Sequence, residues 1–200
     1  MTTRDRALLA ACDLAVEEGS QAITLDRVAA RAGISKGGLL HHFRSKESLM
    51  RGMLERKLGE WEECVEAIAS TGFSYPVAYV EATFSQKSDD DAKENALGAV
   101  FVAAVASDPA LAEYLRERFD RFHARLVAAG VDPVRARLIQ RTVDGLFVAE
   151  ALGAARPTPE EADGLRADLL SLLRPREDVL LAALFRHALA ESEKEDGPGR

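Results

Sequence analysis

The sequence predicts an all-α protein of about nine to ten helices. Apolar residues recur at spacings of three and four along most of the chain, which is the periodicity of amphipathic helices. No segment shows the alternation of apolar and polar residues that is typical of a half-buried strand. Glycines, prolines and capping residues fall between the periodic segments, where they end one helix and begin the next.

Three short helices are predicted in the first 43 residues. The first covers residues 3 to 18, and Thr24 is a good N-cap for a second over residues 25 to 32. The corner AGIS then leads to a third helix, which Ser35 can cap. Gly33 in this corner accepts a positive φ without steric cost. The arrangement is typical of a helix-turn-helix, whose second helix enters the major groove of DNA.

The third predicted helix contains two adjacent glycines, Gly37 and Gly38. Each costs about 1 kcal/mol relative to alanine in a helix interior, so the pair argues against a helix at this place. We still predict the helix, because the corner before it favours one. It would turn Lys36, Leu40 and His41, together with Gly37, towards the major groove. Leu40 has the alternative role of a core residue.

Charge is distributed unevenly along the chain. The net charge is −7, yet the stretch from Arg27 to Lys46 has five basic residues, two histidines and no acidic residue. A local basic face on an acidic body fits DNA binding by one small region. Five charges can also form an ordinary solvated surface, and that alternative stays open.

Residues 2 to 54 resemble the DNA-binding domain of the TetR family of bacterial repressors. The resemblance is carried by TLDRVAARAGISKGGLLHHF, from Thr24 to Phe43, and by the RSKESL that follows. Two places depart from the family pattern. Gly38 stands where the family often has threonine, and the pair LH that follows Leu39 stands where it often has tyrosine.

The resemblance implies roles for single residues in DNA binding. Thr24 and Lys46 would contact phosphates, and His42 would lie along the DNA backbone unless it is a buried structural histidine. Phe43 and Leu49 would instead belong to the core. The residues that we expect to contact DNA are Thr24, Ser35, Lys36, Gly37, Leu40, His41, His42 and Lys46.

Seven further helices are predicted, each bounded by a breaker or a cap. Ser45 caps a long helix that reaches about residue 69. Asp108 and Asp132 each precede a proline, which suits the first position of a helix. The predicted ranges are 46–69, 75–87, 92–106, 109–129, 133–153, 159–173 and 176–191.

The chain is expected to divide into a DNA-binding domain over residues 1–48 and a ligand-binding and dimerisation domain over residues 49–192. Residues 193–200 are charged and contain glycine and proline, so we expect a disordered tail. Aromatic and polar residues within apolar helical stretches are candidates for a small-molecule pocket. Packing alone also explains the aromatic ones, and Asp144 has the alternative of facing solvent or an arginine. The candidates are Trp61, Phe84, Phe101, Phe119, Phe122, His123, Asp144 and Phe147.

Two helices have apolar residues on more than one side, and both are expected to pair with a second copy of the chain. They are the helices of residues 133–153 and 176–191, and the second contains seven consecutive apolar positions, 179–185. By the resemblance, two such helices from each chain would form a four-helix bundle. A two-fold dimer of this kind reads a palindromic operator.

Other classes of protein find no support in the sequence. The four histidines lack metal-ligand spacing, Cys12 and Cys64 stand alone, and there is no phosphate loop or nucleophile motif. We therefore expect no catalytic residue, metal or cofactor. No apolar stretch reaches about 18 residues, and charges near the N-terminus interrupt any signal peptide. We expect a cytoplasmic protein with no membrane partner.

Together these observations predict a dimeric repressor that binds a palindromic operator in double-stranded DNA. A small-molecule effector bound by the second domain would release it. The alternative is a DNA-binding regulator that has no small-molecule ligand.

Overall fold

The computed structural model of the chain describes residues 1–85, 91–154 and 156–174. Within these ranges it contains nine α-helices, one short 3-10 helix and no strand, so the predicted all-α fold is confirmed. The helices are α1 Thr3–Glu18, α2 Leu25–Ala32, α3 Lys36–His42, α4 Lys46–Ser70, α5 Tyr75–Ser85, α6 Asp91–Ser107, α7 Pro109–Ala128, α8 Pro133–Ala151 and α9 Pro159–Ser171, with the 3-10 helix Ser20–Ala22 between α1 and α2. The predicted helix 176–191 and the tail 193–200 lie outside the described residues.

The first helices begin and end where their caps predict. The Thr24 side chain accepts a hydrogen bond from the Arg27 amide at 3.3 Å, and that of Ser35 accepts one from the Gly38 amide at 3.0 Å. Gly33 ends α2 with a φ of 62°. The two glycines at the start of α3 do not prevent the helix, because capping and the packing of Leu39 offset their low helix propensity.

A first hydrophobic core joins the N-terminal helices to α6 and α7. It includes Leu8 of α1, Val28 of α2 and Leu39 of α3, all fully buried. Residues of α4 after position 48 also belong to this core, as do five residues of α6 and α7. Those five are Leu97, Val100, Phe101, Leu111 and Tyr114. The start of α4 and one face of α6 therefore help to hold the helix-turn-helix.

A second core lies between α5, α7, α8 and α9. Tyr79, Phe122 and Ile139 are buried at its centre. Gln140 is buried too, and its amide donates to the Phe119 carbonyl at 2.8 Å. The side chains of Trp61 from α4 and Phe84 from α5 pack against this core. Hence α4 contributes to both cores.

Helix α6 passes very close to α8. A Cβ at Gly98 would lie 2.8 Å from the Cβ of Ala151, which is closer than two carbon atoms can approach. Only glycine allows this approach. Since α6 also packs on α1, it connects the helix-turn-helix to α8.

No single helix among the described residues has the length and apolar composition needed to cross a membrane. One pair, Asn95–Ser107 and Pro109–Ala128, meets these criteria only when taken together, and it is bent by 111°.

Candidate DNA-binding surface and effector site

Helix α3 presents its candidate DNA-contacting residues to solvent. Lys36, Gly37 and His41 are exposed. Leu39 is completely buried, whereas Leu40 is 36% exposed, so the core leucine of this helix is Leu39. The structure thus does not support the alternative that Leu40 is a core residue.

His42 and Thr24 also lie at the surface. His42 is exposed at the end of α3, with its ring centroid 5.2 Å from that of His41. It is therefore not the buried structural histidine that the sequence left open. Thr24 is exposed at the N-terminus of α2, where the helix dipole favours an anion. Both side chains are accessible to a DNA backbone.

The two candidate DNA-binding lysines have partners within the protein. Lys46 Nζ donates to the Ser20 carbonyl oxygen at 2.9 Å, which ties the start of α4 to the segment before α2. Lys36 Nζ lies 2.8 Å from Asp26 Oδ1, and both side chains are more than half exposed. Such an exposed ion pair contributes little to stability. Lys36 can therefore exchange its partner for a DNA group more easily than Lys46 can.

Acidic residues from α1 neutralise part of the basic stretch 27–46. Arg27 forms an ion pair with Glu18, and Arg31 forms one with Glu17. Two basic charges of the stretch are therefore compensated, although the stretch itself contains no acidic residue, because their acidic partners come from α1.

Arg44 is a further candidate for phosphate contact that the sequence did not single out. It is exposed in the corner between α3 and α4, two residues after His42 and two before Lys46, the first residue of α4. Among the described residues it has no ion-pair partner, whereas Arg27, Arg31 and Lys36 are each paired with an acid. The sequence signal was the arginine of RSKESL, whose freedom from acidic partners is visible only in three dimensions.

Three aromatic rings meet where α4, α5 and α7 converge. The ring centroid of Trp61 lies 4.9 Å from that of Tyr79 and 5.2 Å from that of Phe122. Those of Tyr79 and Phe122 are 6.3 Å apart. We call these three residues the aromatic cluster. Tyr79, which was not among the pocket candidates, is the most deeply buried of the three.

The remaining aromatic candidates are not all brought together. Phe119 and Phe84 pack against the second core, near the aromatic cluster. Phe101 is buried in the first core, and Phe147 is largely exposed beside Gly98. Phe101 and Phe147 are therefore placed away from the pocket that the sequence predicted, because the same helical spacing serves either core or the surface.

Two polar candidates carry buried atoms that lack a hydrogen-bond partner. These atoms are Nδ1 of His123 and Oδ2 of Asp144. Burial, followed by the charge of Arg137, lowers the pKa of His123, which favours the neutral ring at neutral pH. Burial raises the pKa of Asp144 to about 6. Both groups lie on the helices that enclose the second core.

This geometry defines the class of protein. Two helices joined by a left-handed glycine corner expose one face of the second helix, which is the arrangement of a helix-turn-helix DNA-binding protein. A separate helical core follows it.

Comparison with known families identifies the class more closely. Residues 7–53 match the family model described as "Bacterial regulatory proteins, tetR family". Residues 74–174 match the model described as "Tetracyclin repressor-like, C-terminal domain". The chain belongs to the TetR family of transcriptional regulators, whose members are DNA-binding regulators and not enzymes.

Individual relatives agree with this assignment. The chain is 41% identical over 66 residues to the HTH-type transcriptional repressor KstR2 of Rhodococcus jostii, in an alignment that covers 31% of this chain and 32% of the relative. A transcriptional regulator from Rhodococcus sp. Rha1 superposes with a TM-score of 0.68 at 25% identity, covering 86% of this chain and 96% of the other. GusR of Salmonella enterica gives a TM-score of 0.64 at 28% identity, over 86% and 95% of the two chains.

A third solved structure shares the fold at lower identity. The multidrug binding protein EbrR, solved in complex with imidazole, superposes with a TM-score of 0.68 at 22% identity, covering 89% of this chain and 99% of the other. A second structure of EbrR contains malachite green.

Proposed function

We propose that this chain is a dimeric repressor that leaves a palindromic operator when a small molecule binds beside its aromatic cluster. One observation carries the proposal. Helix α4 runs without a break from Lys46 in the helix-turn-helix to Trp61 in the aromatic cluster. A ligand that prefers one tilt of α4 would shift the population towards that tilt, and so change the separation of the two α3 helices in a dimer.

DNA contact is assigned to the N-cap of α2, to α3 with the residues that flank it, and to the first residue of α4. Lys36, Gly37, Leu40 and His41 would face the bases. The residues that would hold the phosphates are Thr24, Ser35, His42, Arg44 and Lys46. Phosphate contacts position the protein, whereas contacts to base edges select the sequence.

A second candidate function, regulation without a small-molecule ligand, is favoured by one observation. The rings of the aromatic cluster contact one another directly, so they fill the space between α4, α5 and α7. A ligand would have to move at least one ring. Ligand-induced change in operator affinity separates the two candidates.

The test of DNA binding begins with selection of bound duplexes from a library of random sequence. We expect enrichment of a two-fold symmetric sequence. On the selected duplex, Lys46→Ala and Arg44→Ala should each weaken binding to all sequences alike. Each should also reduce the slope of log affinity against log salt by about 1, because one phosphate contact is lost.

Arg121→Ala is the matched control, since Arg121 is an exposed arginine on α7. It should leave both affinity and salt slope unchanged. If selection enriches no sequence, the proposed function is wrong. If Lys46→Ala and Arg44→Ala both keep the wild-type salt slope, the assigned phosphate contacts are wrong, although DNA binding itself is still supported.

The dimer is proposed from an exposed apolar face of α8. Val134, Leu138, Val148 and Leu152 are all exposed, and with Gly145 they lie on one face at intervals of four, seven, three and four residues, with Arg141 in the seven-residue gap. That pattern forms one seam along a helix, as in helix pairing. Exposed apolar seams of this kind are typical of protein interfaces. A second copy of the chain is the proposed partner.

Leu138→Glu is expected to convert the dimer to a monomer, because it places a charge in the middle of the apolar seam. Light scattering coupled to size exclusion measures the change in mass. Leu9→Glu is the control, since Leu9 is an exposed leucine on α1, away from the seam. A Leu138→Glu protein that stays dimeric would show that the chain pairs elsewhere.

A further inference from the structure

Asp144 is a largely buried carboxylate, and one of its oxygens has no hydrogen-bond partner among the described residues. Its side chain is only 17% exposed, and its Oδ2 is buried without a hydrogen-bond partner. The nearest cation, Nη1 of Arg141, lies 3.8 Å from Oδ2, which is too far for a hydrogen bond. Arg141 is itself two-thirds exposed and one turn away on the same helix. A buried carboxylate without a close partner is costly, so its presence calls for an explanation.

Tyr79 links this carboxylate to the aromatic cluster. Burial raises the pKa of the Tyr79 hydroxyl, and the charge of Asp144 raises it further. Val143, the neighbour of Asp144 on α8, is packed in the same core as Tyr79 and Phe122, and α8 packs against α5 and α7. Asp144 therefore lies on the helix that closes this side of the aromatic cluster. The faces of aromatic rings carry partial negative charge and attract cations. Asp144 and the aromatic cluster therefore attract the same kind of group.

We propose that the effector is an organic cation, whose positive charge is held by Asp144 against the rings of Trp61, Tyr79 and Phe122. The proposal rests on the ligand-responsive regulation described above, and it names the chemical class of the ligand. A positive charge would satisfy the orphaned oxygen of Asp144, and an apolar body would replace contacts between the rings.

The protein already uses this chemistry with its own cations. The guanidinium carbon of Arg118 lies 5.6 Å from the centroid of the Phe122 ring, and Arg118 also pairs with Glu62 of α4. The guanidinium carbon of Arg125 lies 3.8 Å from the centroid of the Tyr75 ring, and Arg125 pairs with Glu66 of α4. Aromatic rings combined with carboxylates thus hold two guanidinium groups beside the cluster.

Arg118 connects α7 to α4 through its ion pair with Glu62, and a cationic ligand would weaken this connection. Its Nε is buried without a hydrogen-bond partner, so its present position leaves one donor unsatisfied. A ligand cation against Phe122 competes with Arg118 for the same ring. Displacement of Arg118 would weaken its ion pair with Glu62, which fixes α4 to α7. The site would thereby act on the helix that reaches the DNA-binding surface.

The surroundings favour a cation over an anion. An open groove of about 640 Å³ between α4 and α7 is lined by Glu62, Glu63 and Glu66, with Arg125 as its basic residue. Glu62 and Glu66 are already paired with Arg118 and Arg125, so the acidic groove raises the local concentration of cations only modestly. An anionic ligand at the proposed site would be repelled by Asp144.

The test uses the full-length protein and two probes of nearly the same shape but opposite charge, tetraphenylphosphonium and tetraphenylborate. Benzyltrimethylammonium serves as a smaller cation. Trp61 is the single tryptophan of the chain, so its fluorescence reports on the aromatic cluster directly. We expect at least one of the two cations, and not the borate, to change Trp61 fluorescence and to lower affinity for the selected duplex.

Asp144→Asn should weaken binding of that cation at least tenfold while leaving operator affinity unchanged. Asp168→Asn, which removes an exposed carboxylate on α9, should leave cation affinity unchanged. Absence of binding by both cations would overturn the proposal, and so would wild-type cation affinity in Asp144→Asn. In either case continued binding to the selected duplex shows that the regulator function stands, whereas a wild-type protein that binds no DNA refutes that function by itself.

Discussion

Phe43→Ala is expected to lower the free energy of unfolding by about 3 to 5 kcal/mol, which is the usual loss for a buried phenylalanine. Phe43 is 3% exposed and follows the last residue of α3. Its ring fills the space above Gly52 of α4, where an added Cβ would lie 2.7 Å from Cε1 of the ring. The guanidinium carbon of Arg4 lies 5.5 Å from the ring centroid on another side. Removing the ring leaves a cavity between α1, α3 and α4.

Urea denaturation followed by circular dichroism measures this loss. DNA affinity should fall with stability, because the cavity frees the end of α3 from α4. Leu40→Ala is the control on the same helix. Since its side chain is partly exposed, its effect on stability should stay within about 0.5 kcal/mol. A Phe43→Ala protein that loses no more stability than Leu40→Ala would contradict the packing described for α3 and α4.

Asp144→Asn is expected to raise the free energy of unfolding of the ligand-free protein, in contrast to Phe43→Ala, which lowers it. Burial raises the pKa of Asp144 from 3.8 to about 6, so the folded state disfavours the charged form. Each unit of pKa corresponds to about 1.4 kcal/mol. Because the side chain keeps some exposure and asparagine still needs hydrogen bonds, we expect a gain of about 1 to 3 kcal/mol.

The pH dependence of this gain identifies its cause. The folded pKa lies above the unfolded one, so the folded state binds more protons between about pH 4 and pH 6, and stability falls as pH rises through that window. Asp144→Asn should therefore match the wild type near pH 4 and exceed it from about pH 6 upward. Chemical denaturation at several pH values measures this. A variant that is less stable than the wild type at pH 7 would reveal an internal partner for the carboxylate.

The sequence predicted the helix-turn-helix closely because its signals are local. Thr24, Gly33 and Ser35 determine where α2 ends and α3 begins through hydrogen bonds and a backbone angle within a few residues. Capping interactions of this kind depend little on the rest of the fold. The bounds of α1 and α2 agree with their predicted ranges for the same reason.

The candidate effector site was predicted less completely, because its contacts join distant parts of the chain. Helical spacing shows that Phe101 and Phe122 are buried, but not that they belong to different cores. Tyr79 joins the aromatic cluster only when α4 and α7 pack around α5. The pairing of Arg27 with Glu18 likewise depends on how α1 meets α2. No local pattern encodes such pairings.

The contribution of α6 to the first core bears on the making of chimeric repressors. Leu97, Val100 and Phe101 come from the body of the protein, yet they complete the packing beneath the DNA-reading helices. Transplanting only the N-terminal segment onto the body of another regulator would leave those three side chains behind. A chimera that is meant to change operator preference and stay soluble should therefore include these three residues of α6 together with the N-terminal DNA-binding helices.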